Sequence, residues 1–196
     1  MQLARRVAAS ALLAATCADA VAAETIVFMR HGEKPHEGLG QLSCQGLQRS
    51  LALPAVLGKK FDRPMAIFAP NPGQLKHDGG KPYNYIRPLA TIEPTAIALG
   101  MPVHTRFGFQ DTARLEAALT APALRNATVF VAWEHAVAEQ VAKDLLRARG
   151  ADASVVPHWD GGDFDSLYIV TMADDGTARF ALDRQGIAPS ERCPVP

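Results

Sequence analysis

Residues 25–35 read TIVFMRHGEKP: five residues suited to a buried strand, followed directly by an arginine, a histidine and a glycine. The run TIVFM is apolar without alternation, the pattern of a strand covered on both faces. Strands of that kind sit in sheets sandwiched between helices, and ligands of such sheets bind beyond the carboxyl ends of the strands. Arg30, His31 and Gly32 stand at such an end. The trio reads either as a polar loop closing the strand or as an anion site with a nucleophile in it.

The rest of the chain repeats the pattern. MAIFA (65–69), PVHTRF (102–107) and ATVFVAW (127–133) read as further strands. Four stretches have helical period: 43–57 with Ser43 as N-cap, 86–100 with Pro88 in its first turn, 111–124, and 136–150 with Val137, Val141 and Leu145 on one stripe. Pro54 is expected to end or kink the first helix, and Gly100 and Gly150 to stop two others. PNPGQLKHDGGKPYNY (70–85) is crowded with Pro, Gly and Asn and reads as a long loop. SLYIVTM and TARFALD flank ADDG, a hairpin pattern. The expected fold is α/β: a mostly parallel sheet with helices on both faces and antiparallel strands at the C-terminal end, in a single domain over 24–196. HWDGGDFDS (158–166) carries Asp160, Asp163 and Asp165, but neither their spacing nor the following residues fit a twelve-residue calcium loop, so it reads as a turn. No histidine pair has the close helical spacing of a zinc site, and no metal is expected.

The first 23 residues differ in kind. Arg5 and Arg6 precede an alanine-rich apolar segment that ends in small residues at Ala18, Ala20, Ala22 and Ala23, the pattern of a secretory signal peptide cleaved near Ala20–Ala23. Thr16, Cys17 and Asp19 interrupt the apolar segment, which is too short for a permanent membrane anchor. Cys17 lacks the large apolar residue three positions earlier that would mark a lipoprotein site. The full chain has 20 basic and 20 acidic side chains; cleavage removes two of the first and one of the second, leaving a net charge of −1. That balance offers no basic face for nucleic acid. A periplasmic or secreted location follows from the leader, and an oxidising compartment favours a disulfide between the two remaining cysteines, Cys44 and Cys193. Closing so long a loop is worth roughly 4–5 kcal/mol by chain entropy.

Two histidines sit at strand ends: His31, and His135 after ATVFVAW with only Glu134 between. Arg30 adjoins the first, and Arg87 opens the helix after the second strand. Guanidinium groups and helix N-termini both grip phosphate oxygens. Two arginines and two histidines around one point suit phosphoryl transfer: cations stabilise the spread charge, and a neutral imidazole can attack phosphorus.

FMRHGEKP resembles the signature of the histidine phosphatase superfamily, whose fold is phosphoglycerate-mutase-like, an α/β/α sandwich. RPLAT (87–91) is similar to that family's second arginine with a threonine four residues on, and VFVAWEHAVAEQVAKDL (129–145) resembles its second histidine between strand and helix. The resemblance runs from about 25 to 184. It implies that His31 is the phosphorylated nucleophile, that Arg30, Arg87 and His135 bind the phosphoryl group, and that neither metal nor organic cofactor takes part.

The chain departs from the family in two places. An insertion separates AP (69–70) from Arg87, and its Lys76, His77, Lys81 and Tyr83 either line the site or face solvent. The aspartate that one branch carries after its second histidine is replaced by Ala136. Glu134 is then the first choice for proton donor, with Asp111 and Glu33 as alternatives, and Lys34 either adds a cation to the site or is solvated. The expected function is hydrolysis of phosphate monoesters through a phosphohistidine. The alternative is a binding protein of the same fold, for phosphate or a phosphorylated ligand, that has lost turnover.

Overall fold

The structure, a computed structural model, describes residues 23–194. The segment read as a signal peptide lies outside the described residues except for Ala23, which opens the first strand. Among the described residues no helix is long and apolar enough to cross a membrane.

Strand β1 (Ala23–Arg30) occupies the centre of a five-stranded sheet. With β2 (Ala66–Phe68), β5 (Thr128–Trp133), β6 (Ser166–Ala173) and β7 (Ala178–Arg184) the spatial order is β2-β5-β1-β6-β7. β1 and β2 both run parallel to β5, while β6 is antiparallel to β1 and to β7, so four of the five strands point the same way. The ADDG segment makes the β6–β7 hairpin expected of it.

Side-chain alternation along β1 splits the core in two. Ile26 and Phe28 face a layer built from α3 (Thr112–Leu119) and α4 (His135–Ala148), through Leu115, Leu119, Val141 and Leu145. Val27 and Met29 face α1 (Cys44–Lys60) and α2 (Arg87–Leu99), through Leu53, Leu57, Ile92 and Ala96. All four β1 residues are fully buried, which is why the strand reads as a continuous apolar run.

Four local expectations need correction. α1 runs through Pro54 to Lys60, because Leu53 and Leu57 on either side are fully buried and their packing outweighs the lost backbone bond. The segment 102–107 is no strand: Pro102 has no N–H to give, and only His104 bridges Phe68 before the chain turns to bury Phe107. The helix expected over 111–124 stops at Leu119, and Pro122–Leu124 form a separate 3-10 turn. The segment 70–85, read as a loop, contains a hairpin of β3 (Leu75–Asp78) and β4 (Lys81–Asn84). Gly79 and Gly80, with φ of 58° and 80°, supply the left-handed turn that a two-residue hairpin requires.

Cys44 and Cys193 are joined by a disulfide, with Cα atoms 4.5 Å apart across 149 residues of sequence. Cys44 is the first residue of α1, so the bond ties the C-terminal tail to the helix that backs the loop after β1.

Candidate active site

β1 and β5 are neighbours in register, Arg30 opposite Trp133, and the His31 amide donates to the Trp133 carbonyl at 3.0 Å. That pairing sets His31 beside the Glu134-His135 pair although a hundred residues separate them in sequence. Glu134 caps α4, its Oε2 accepting from the Val137 amide at 3.0 Å, so His135 occupies the first helical position. Arg87 is likewise the first residue of α2; its amide and that of Ile86 both donate to the Gly40 carbonyl. Two helix N-termini therefore meet the carboxyl edge of the sheet, where they favour anions.

His31 is 3% exposed, and its Nδ1–H donates to the Gly32 carbonyl at 2.8 Å. That bond fixes the tautomer and leaves the Nε2 lone pair free. Burial, opposed by the Gly32 bond and reinforced by the charges of Arg87, Arg30 and Lys76, holds the imidazole well below its ordinary value. His31 is thus a buried imidazole, oriented by Gly32 and pushed toward its neutral form among cations.

Gly32 donates its amide to Thr91 Oγ1 at 2.8 Å, and Thr91 Oγ1 donates to the Arg87 carbonyl at 2.8 Å, a chain that locks the loop to the start of α2. Gly32 is needed for packing as well: a Cβ there would sit 3.0 Å from Gly46 in α1. A Cβ on Gly46 would lie 2.3 Å from the Glu33 carbonyl. The two glycines let the loop and helix touch.

Arg30 reaches across to the segment after α4. Its Nη1 donates to the Gly161 carbonyl at 2.5 Å, and its guanidinium lies 3.9 Å from the Phe164 ring centroid. A Cβ on Gly161 would stand 3.7 Å from His135 Nε2, so Arg30 and His135 converge on this segment. The sequence reading of 158–166 as a mere turn missed that it walls the site. Its aspartates are used in turn and ion-pair bonds: Asp160 accepts from the Gly162 amide, Asp163 from Ser166, and Asp165 pairs with Arg49. An open hollow of about 680 Å³ borders the site through Asp163 and Phe164 but contains none of the four central residues.

The hairpin supplies residues that sequence reasoning did not single out as a pair. Strand alternation turns Lys76 and Asp78 inward and leaves Leu75 and His77 exposed; Lys81 is also exposed and Tyr83 half-buried. Asp78 accepts from Lys34 Nζ at 2.6 Å and from Arg87 Nη1. Burial would raise its carboxyl, but Lys34 and Arg87 outweigh burial and hold it below the ordinary aspartate value. Lys34 is therefore tied to Asp78 rather than free at the site. Lys76 Nζ lies 4.8 and 5.0 Å from the ring centroids of Tyr85 and Phe109, and 3.8 Å from Glu134 Oε1. The Tyr85 ring in turn meets His31 edge-on at 5.9 Å. The GG dipeptide between LKHD and KPYN was the signal that could have revealed this hairpin.

The carboxylates chosen as proton donors are all engaged. Glu134 Oε1 lies 2.8 Å from His135 Nδ1, without the alignment of a hydrogen bond. Burial raises the Glu134 carboxyl, but His135, Lys76 and the Val137 amide together bring it down to about 2. Glu33 accepts from Nε and Nη2, one edge of the buried Arg49 guanidinium, whose Nη1 donates to Asp165 and Gln185. Asp111 pairs with the exposed Arg114 at 3.1 Å. Buried donors remain without protein partners among the described residues: Nε of Arg30, Nε of Arg87 and the Tyr85 hydroxyl.

Solved structures share this architecture. A mycobacterial glucosyl-3-phosphoglycerate phosphatase in complex with inorganic phosphate is 15% identical, over 82% of this chain and 95% of that one, with a TM-score of 0.56. The protein histidine phosphatase SixA complexed with tungstate is 16% identical, over 82% and 97%, also at 0.56. Phosphoglycerate mutase from Plasmodium falciparum is 11% identical, over 81% and 89%, at 0.54. No family model matches the chain, and no curated protein matches it in sequence. The chain shares the phosphoglycerate-mutase-like fold of these structures.

Proposed function

We propose that this protein is an exported phosphatase that hydrolyses phosphate monoesters through a phosphohistidine at His31. The observation that carries the reading is the state of His31: neutral, its tautomer fixed by the Gly32 carbonyl, and surrounded by Arg30, Arg87 and Lys76. In the first step Nε2 attacks phosphorus while the bond to the leaving oxygen breaks. Arg30, Arg87 and His135 hold the equatorial oxygens, and the orphaned Nε–H groups of both arginines are donors suited to that task. In the second step water attacks the phosphohistidine and releases phosphate. The neighbours described above include a phosphatase with bound phosphate and a histidine phosphatase with tungstate, which supports a tetrahedral oxyanion as ligand.

The engaged state of Glu134, Glu33 and Asp111 favours one rival, a binder without turnover. Turnover of p-nitrophenyl phosphate by the protein lacking residues 1–23, with His31→Ala as control, separates the two. The phosphatase reading expects hydrolysis that His31→Ala abolishes and that a chelator leaves unchanged. Saturable binding of inorganic phosphate with no turnover between pH 4 and 9 makes the protein a binder, and turnover that survives His31→Ala defeats the mechanism.

A further inference from the structure

Expulsion of an alkoxide needs an acid, and the carboxylates near His31 are poorly set to be one. Glu134 and Asp78 are paired with cations and hold no proton at neutral pH. Glu33 and Asp111 are bound to Arg49 and Arg114. The Tyr85 hydroxyl keeps its proton, but burial pushes it so far up that it is a weak donor. Lys76 is different. Its ammonium lies over the rings of Tyr85 and Phe109 and, among the described residues, makes no hydrogen bond, with Glu134 Oε1 standing 3.8 Å away, leaving N–H bonds to give. It shares the Tyr85 ring with His31, which brings the two side chains to the same aromatic group.

We propose that Lys76, carried in by the β3–β4 hairpin, is the proton donor to the leaving-group oxygen. The assignment rests on the phosphatase reading above. As His31 Nε2 bonds to phosphorus and the P–O bond breaks, the leaving oxygen takes a proton from the Lys76 ammonium and departs as the alcohol. The neutral amine then takes a proton from the water that attacks the phosphohistidine. The N–P bond breaks, phosphate leaves, and both side chains return to their starting states. Burial lowers the Lys76 ammonium from its ordinary value, Glu134 and Asp78 oppose that, and Arg87 and Lys34 add to it. The direction brings the acid closer to working pH.

The test compares Lys76→Met and Lys76→Arg on two probes, p-nitrophenyl phosphate, whose leaving group departs readily unprotonated, and β-glycerophosphate, whose alkoxide does not. Loss of a general acid lowers kcat/KM about 10²–10⁴-fold on the probe that needs it. The expected result is a loss of that size on β-glycerophosphate and a much smaller one on p-nitrophenyl phosphate. Lys76→Arg, which keeps the charge but holds its proton too tightly to transfer, should show the same split. The alkaline limb of the pH profile for β-glycerophosphate should vanish with the lysine. Equal losses on both probes, rescue of both by arginine, or a selective loss in Tyr85→Phe instead would overturn the assignment while leaving the phosphohistidine intact. Absence of any His31-dependent turnover in the unaltered protein would remove both.

Discussion

Asp78→Asn tests whether the hairpin is part of the site's construction. Asp78 bridges Lys34 and Arg87, and the two arms are unequal. The Arg87 side chain is 3% exposed and that of Asp78 7%, whereas Lys34 is 40% exposed. Removing the charge leaves Arg87 buried without a counter-ion, which costs about 3–5 kcal/mol. Lys34 can turn into water, so its share is at most about 1 kcal/mol. Against a total stability of about 5–15 kcal/mol the substitution should be plain in urea unfolding at pH 7, with Lys34→Met as the mild comparison. The sign of the pH dependence follows from the depressed carboxyl. A group whose folded value lies below its unfolded value contributes stability above that unfolded value and loses it as pH falls through the folded one. The gap between the two proteins should be full at pH 7 and shrink below the ordinary aspartate value of 3.8. Displacement of Arg87 should also lower kcat/KM by about 10²-fold. A change under 1 kcal/mol at pH 7, or a gap that persists unchanged to pH 2, would refute the reasoning.

Replacing Cys44 and Cys193 by serine should destabilise the protein by about 4–5 kcal/mol, and reductant should bring the parent down to the variant's urea midpoint. Gly46→Ala drives a methyl to 2.3 Å from the Glu33 carbonyl, so stability should fall by about 1–3 kcal/mol, with loss of turnover as the His31 loop shifts. Arg49→Met strands Glu33 and Asp165 together and should cost about 3–5 kcal/mol, while Arg114→Met, which breaks only an exposed arginine's pair with the half-buried Asp111, should cost under about 1 kcal/mol. Because His31 lies well below its ordinary value of 6.5, the nucleophile stays neutral in acid, and the acid limb of kcat/KM should fall below pH 6.5. An acid limb at or above that value would contradict the described environment.

The continuous apolar runs of β1 and β5 and the ADDG hairpin were legible because they are local patterns: period, composition and turn chemistry act within a few residues. The placing of Arg30, His31, Arg87 and His135 at strand and helix ends was legible for the same reason. Other features depended on partners distant in sequence. Pro54 stays inside α1 because the sheet buries its neighbours, and His104 fails to extend a strand because the chain must turn to bury Phe107. Which carboxylate meets which cation is equally non-local: Glu33 lies two residues from His31 in sequence yet binds Arg49, and Asp78 holds Arg87 from nine residues away. The sequence by itself determined that an Arg-His-Gly would close a buried central strand and that a second histidine would follow another. Only the tertiary structure decided that Gly32 makes room for α1, that the 158–166 turn lines the site and that Lys76 faces it. Those outcomes depend on long-range packing and on charge pairing in a buried setting, which no window of the chain contains.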